Sequence, residues 1–498
     1  MKAGQVRRWV RRRQRSRENA SDLFETVYTL ALLAAMVGYM IWAQVRAVLS
    51  GQTAAPAGVR EGVVLAAGLA WTAALLAVAA ALGPVSTSAP ALQWLITTPL
   101  DRRSLLTPSV AQVLGLGLLA GLAQGLLTLT LSTVGAGAVL LAAVAGGVLV
   151  LGATAVVQSA SRRPARRLNT TATVLAIAAA AIGVLAVSGV DVGAVAATGP
   201  WGWPLLAGRH TWVAVLLTAA ALIAPFLQWY RLQALTLANL TDAAQSSGAA
   251  TAVFLTLDPG LASRAAEDRR WRGRRLGPDK LPKLSGRFTA TGQDALLLVR
   301  SPVRLLLGAA LVTVPVLAAG LPVSRWVIAA AWLICALAAA SASTANARRD
   351  RDDPGLARLL GLSDGELFTG RLAVPIVLCT VWSAAALTAV GGGFGEWTLL
   401  GALAGPGLAA GSLRSARRRE VRHDVASLSS PAGIMPTGPF MWLAGAADLA
   451  IIALWPTLFA IVSQHPDLAL TNQAIFSAGT LGGLIVTARS TGGAFSSR

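Results

Sequence analysis

Twelve apolar runs separated by polar connections leave this chain very few ways to fold. A hydrocarbon core about 30 Å thick is crossed by roughly 20 apolar residues in helical form. Runs at 27–49, 62–82, 109–130, 135–157, 171–189, 212–227, 303–321, 327–345, 372–390, 397–413, 441–462 and 474–487 reach that length alone or with their flanks. Lipid offers no partner to a backbone N–H or C=O, so such runs close their hydrogen bonds internally, as helices. Composition agrees, with 55% hydrophobic and only 13% charged residues in 498. The expected fold is therefore an all-α polytopic membrane protein of about twelve transmembrane helices. Ala, Gly, Leu and Val dominate the runs, and small faces such as Gly121-Leu-Ala-Gln-Gly125 let helices approach closely.

The net charge of +20 raises the question of nucleic acid, but the positions of the charges answer it differently. With the amino terminus inside, all of the 42 Lys and Arg except Arg46, Arg60, Arg209 and Arg325 fall on the cytoplasmic side or its membrane edge. This is the positive-inside pattern, and it predicts a bacterial inner-membrane protein with both termini cytoplasmic. The basic run RRWVRRRQRSR in segment 1–22 reads as a topology determinant on anionic headgroups, with no nucleic acid as partner. The apolar run after it is too long for a signal peptide. Cys335 and Cys379 fall inside expected spans, so no disulfide framework follows. His210, His423 and His465 lie in different loops without ligand-spaced companions, so no metal site is expected.

A displacement of 262 residues carries the second span onto the eighth, the third onto the ninth, the fourth onto the tenth and the sixth onto the twelfth. An internal repeat of six helices explains this, and an even number gives both halves one orientation. The expected domains are the basic segment 1–22, a first membrane half 23–229, a basic linker 230–292 and a second half 293–498. The linker holds no span, and reads either as a tether or as a docking surface for a partner.

Within the repeat, QWLITTPLDRRSLLTPSV at 93–110 pairs with GLARLLGLSDGELFTGRL at 355–372. Pro99 suits the first position of a short helix, Asp101 its positive end, Leu105 and Leu106 give it an apolar face, and Pro108 is expected to end it. Arg102 and Arg103 complete its charge. In the second copy Ser363 and Glu366, three apart around Asp364, form a capping-box pattern, followed by Leu367 and Phe368. Both loops read either as charged elements tied to moving helices or as anchors on lipid headgroups.

An amphipathic segment ahead of each half, at 21–30 and 293–306, six helices, a cytoplasmic loop of the form Leu-x-x-x-x-Leu-Leu, a basic loop between the fourth and fifth helices, and outer segments ATGPWGWPLLAG and SQHPDLALTN together resemble permeases of the ATP-binding cassette type-2 exporter class. The resemblance is one of architecture over nearly the whole chain, with two six-helix units fused where the usual permease has one. It implies that TPLDRRSLL (98–106) and LGLSDGELF (360–368) seat in clefts of a separate ATPase, and that the outer segments are re-entrant. The apolar lining of the spans suggests a lipophilic or amphiphilic substrate.

No Gly-x-x-x-x-Gly-Lys-Ser/Thr loop occurs, since Lys2, Lys280 and Lys283 lie in other settings. The chain is thus expected to be no enzyme and to hold no cofactor; ATP would be bound by a partner subunit. Within the spans, Gln124 and Asp448 are candidates for a translocation pathway, while Gln124 could equally bond across helices and Asp448 pair with a loop Arg. The rival functions are a proton-coupled transporter of the major-facilitator kind, for which LDRRSL lacks the flanking glycines, and a non-transporting membrane scaffold.

Overall fold

Apolar residues on every side of a helix suit it to face lipid on one flank and other helices on the rest. The computed structural model describes residues 57–87, 92–96, 101–131, 135–161, 163–256, 284–320, 323–353, 355, 359, 361–417, 428–430, 433–435 and 448–493. These are helical apart from turns and one short antiparallel hairpin, in which Leu428–Ser430 pairs with Gly433–Met435. The first expected span, the amphipathic segment at 21–30, Pro99, His423 and the Arg-rich part of the linker lie outside the described residues.

The chain divides into two compact units, Met1–Thr251 with Leu321–Val323, and Ala252–Gly320 with Ser324–Arg498. In the first, α1 (Ala57–Leu82), α2 (Arg102–Leu131), α3 (Ala136–Ala160) and α4 (Pro164–Val187) are followed by a 3-10 turn, Gly193–Thr198. Short α5 (Trp203–Arg209), α6 (Thr211–Arg231) and α7 (Leu237–Thr256) complete it. Helix α3 packs against α2, α5 and α6, while α1 packs along α4. Helix α7 falls in the stretch read as linker, yet Leu240, Ala243 and Ala244 bury it in this unit.

The second unit opens with α8 (Phe288–Val299), α9 (Pro302–Ala310), α10 (Thr313–Ala319) and α11 (Arg325–Ala340). It continues through α12 (Ala345–Asp352), α13 (Asp364–Val390), α14 (Glu396–Ala416), α15 (Asp448–Ser463) and α16 (Leu470–Gly493). Here α14 is central, packed against α13, α15 and α16. The 262-residue displacement places α2 on α13, α3 on α14 and α6 on α16. The packing follows it: α2 lies on α3 as α13 lies on α14, and α3 on α6 as α14 on α16.

Small residues set both central crossings. A Cβ added to Gly121 would run into the Ala143 carbonyl and one on Gly147 into Gly117, so α2 and α3 touch backbone to backbone. In the second unit the same crossing uses glycines of α14: a Cβ at Gly401 or Gly405 would strike Ser383 or Thr380 of α13.

Among the described residues eight helices are long and apolar enough to cross a membrane, and nine if α11 and α12, bent by 63° at their junction, make one span. The apolar helices mark a membrane-embedded protein, and outward-facing Leu119 and Leu126 on α2 and Val215, Leu222 and Phe226 on α6 are exposed as lipid contacts would be. Twelve spans are not shown among the described residues, which leave out the first expected span and the start of the eleventh. Helix α14 is long enough, but its four glycines and Pro406 dilute its hydropathy, and α15 has only 16 described residues. At the α11–α12 bend, Ser341 and Thr344 donate their hydroxyls to the carbonyls of Ala338 and Ser341, acceptors that the broken helix leaves over, and the Ser343 hydroxyl adds to its own N–H on the Ala340 carbonyl.

Candidate functional site

The two matched loops lead into α2 and α13, and the helices begin in the same repeat register. Asp101 precedes the first residue of α2 as Ser363 precedes that of α13, 262 residues on. Asp101 caps through its carboxylate, which accepts from the Arg103 and Ser104 backbone N–H groups at 3.3 and 3.1 Å. Ser363 caps through its hydroxyl, which accepts from Glu366 N at 3.3 Å, while Glu366 Oε2 accepts from Ser363 N at 3.0 Å. The expected capping box is present, and it opens the long helix α13 itself. Likewise Pro108 does not end a short helix but sits inside α2. A proline there forfeits one hydrogen bond, which a 30-residue helix packed along α3 tolerates.

Behind each cap, apolar side chains are consumed within their own unit. Leu106 is buried with Val85, Leu92, Val110, Leu232, Leu235 and Leu240, and Leu105 packs on the same cluster. Leu367 packs with Ala290 and Leu362. Phe368 is buried among Ala347, Leu372, Leu413 and Ala416, with the Arg417 guanidinium 4.8 Å from its ring centre. Arg103 lies over Trp229 and Tyr230 at 4.9 and 5.4 Å. Facing outward are Asp101, Arg102, Asp364 and Glu366, and next to them in sequence Trp94 stands 75% exposed.

Polar clamps hold these segments in place. In the first unit Gln158 of α3 grips both backbone groups of Val85: its Oε1 accepts from Val85 N at 2.8 Å and its Nε2 donates to Val85 O at 2.9 Å. Asn239 of α7 donates to the carbonyls of Gln158 and Ser161 at the end of α3. Ser109, eighth residue of α2, donates to Ser86 O.

The residue 262 positions after Ser109 is Arg371, eighth in α13 and 97% buried. Its Nε and Nη2 hold Asp350 of α12 at 2.8 and 3.1 Å, its Nη1 holds Asp294 of α8 at 2.8 Å and the Ala290 carbonyl at 3.0 Å, and Nη2 also donates to Gln293. Asn346 adds a 2.7 Å bond to Asp294 Oδ1. All five guanidinium N–H donors are thereby used. Burial pushes the Asp294 carboxyl up to about 6, against the opposing pull of Arg371 and with help from Asp350. Sequence reading missed this cluster; its one local signal is a lone Arg two turns into α13, immediately ahead of the apolar run 372–390.

Gln124 is buried and donates to the Pro200 carbonyl at 3.3 Å, tying α2 to the turn just ahead of α5. Asp448 opens the described part of α15 and pairs with Arg414 of α14 at 2.9 Å, with both side chains partly exposed. Gln124 and Asp448 belong to different units and each is engaged within its own. A second buried amide, Gln473 of α16, accepts from Thr457 N and Oγ1 and donates to Ala453 O and Ser477 Oγ, joining α15 and α16. Among the described residues no group of three His, Cys, Asp or Glu could hold a metal ion.

Residues 56–426 match a family model described as a family of unknown function (DUF6297), a span that stops before α15 and α16. No curated protein matches the chain.

Proposed function

From the premise that the chain belongs to the DUF6297 family, whose function is unknown, we propose that it is the membrane-spanning permease of an ATP-driven exporter, energised by a separate ATPase subunit. On this reading it is built from two six-helix repeats, about twelve spans in all, in a bacterial cytoplasmic membrane with both termini inside, and it carries a lipophilic or amphiphilic small molecule or peptide. The chain itself performs no covalent chemistry; ATP belongs to the partner.

The observation that carries the reading is the matched pair of helix starts at Arg102 and Asp364. A machine driven from one side needs an element that a partner can push and that does not yield before the membrane helix moves. Each start is capped, pinned behind by buried apolar side chains, and continuous with a helix of 27 or 30 residues. The polar residues left outward, Asp101, Arg102, Asp364 and Glu366, form the face offered to the ATPase. Gln124 belongs to the helix that would move, and its bond to Pro200 links that motion to the outer segment.

Co-purification of the full chain with an ATPase encoded beside it, followed by vesicle transport, tests this. Arg102→Glu, or Asp364→Arg with Glu366→Arg, is expected to lower transport-coupled ATP hydrolysis at least tenfold while leaving the chain folded and membrane-inserted. Silent reversals without a co-purifying ATPase, or transport driven by a pH gradient alone, would sink the proposal.

A further inference from the structure

At the buried meeting of α8, α12 and α13 one guanidinium faces two carboxylates, so the trio carries a net negative charge when all are ionised. The two carboxylates are not equivalent. Asp350 receives two N–H groups of Arg371, one on each oxygen, in a bidentate pairing, and its side chain keeps 18% exposure. Asp294 is 3% exposed and receives one N–H from Arg371 and one from Asn346, both on Oδ1. Among the described residues no hydrogen bond reaches its Oδ2. Along α8, Ala290, Asp294 and Leu298 fall four apart and form the buried stripe, so Asp294 stands in the middle of the face by which this amphipathic helix is held.

We infer that this cluster is a proton-binding site that governs how tightly α8 is held against α13: Asp294 takes the proton on Oδ2, Arg371 stays paired with Asp350, and the trio becomes neutral. The inference stands apart from the transport reading. Desolvation drives the uptake, since a second ionised carboxylate has no cation left to balance it. The same burial pushes Asp294 up to about 6, where an exposed carboxyl would titrate near its ordinary 3.8. The charged groups around it are Arg371 from α13 and Asp350 from α12, with Arg349 reaching Asn346 at 3.3 Å. Helix α9, which also packs on α8, brings Arg304 as its only charged residue.

The sign follows from linkage. Docked α8 binds the proton more strongly than undocked α8, so docking is favoured at low pH and that advantage is lost as pH rises through about 6. Between pH 5 and pH 7.5 the docking equilibrium should change about tenfold.

Hydrogen exchange of the 288–299 amides in the full chain in nanodiscs, corrected for intrinsic rates, measures this directly. Opening is expected to be about tenfold rarer at pH 5 than at pH 7.5, and Asp294→Asn should make it independent of pH. Infrared spectra supply a second readout: a protonated-carboxyl band should grow in below about pH 6 and be missing from Asp294→Asn. Asp350→Asn removes the neighbouring negative charge and should move the midpoint of that band to lower pH. A wild-type protein without the band above the ordinary carboxylate range, or exchange at 288–299 that keeps its pH dependence in Asp294→Asn, would overturn the inference.

Discussion

Ser109 and Arg371 occupy the same place in the two halves, eighth in α2 and α13, but tie their helices down by different physics. Ser109 makes one neutral hydrogen bond to Ser86 O, and the work of fixing its loop falls to the amides of Gln158 and Asn239. Arg371 gathers α8, α12 and α13 through charge. A neutral clamp is indifferent to pH and loses little when one bond goes. An ionic hub concentrates the load in a single side chain, whose loss strands one buried and one partly buried carboxylate. Positions 262 residues apart are thus both anchored, but by different means.

The sharpest way to break the comparison is Arg371→Met. Removing one partner of a buried ion cluster costs about 3–5 kcal/mol, whereas Ser109→Ala forfeits a single bond worth about 1 kcal/mol. Thermal or SDS unfolding of the purified chain should show that gap; equal effects would mean that the two anchors are alike after all. Next in size is Gln158→Leu, which strips both backbone groups of Val85 of their partners at a buried site and should cost about 1–3 kcal/mol. Exchange of the 83–87 amides should rise in this variant while that of 288–299 stays put. Smallest are the caps, Asp101→Ala and Ser363→Ala, at about 1 kcal/mol each. Equal losses would show the two helix starts to be energetically as well as positionally equivalent.

What the sequence displayed and what it hid divide along the range of the interactions. The capping box at Ser363 and Glu366 spans three residues and could be read directly, as could the common register of Asp101 and Ser363. Arg371 and Asp294 are 77 residues apart, and nothing local in either announces the other. Pro108 was misleading for the same reason: a proline tends to stop a helix, but packing of α2 along α3 outweighs one missing bond. The polar stretch of α7 reads as tether until Asn239 and Leu240 are seen gripping the end of α3 and its neighbours. Asp448 reads from sequence as a pathway candidate or as the partner of a loop Arg; the Arg is Arg414, 34 residues earlier, in the last turn of α14.

The length of α13 gives Arg371 a depth. Twenty-seven residues at about 1.5 Å each make a rod of about 40 Å, some 10 Å more than the hydrocarbon slab it crosses. If the surplus projects at the capped end, the seven residues from Asp364 to Gly370 stand clear of the slab and Arg371 sits at its boundary. That is the last level at which a guanidinium can be supplied with counter-charges from outside the slab; here Asp294 of α8 and Asp350 of α12 supply them. One turn deeper, the same side chain would have only hydrocarbon and neighbouring spans to meet.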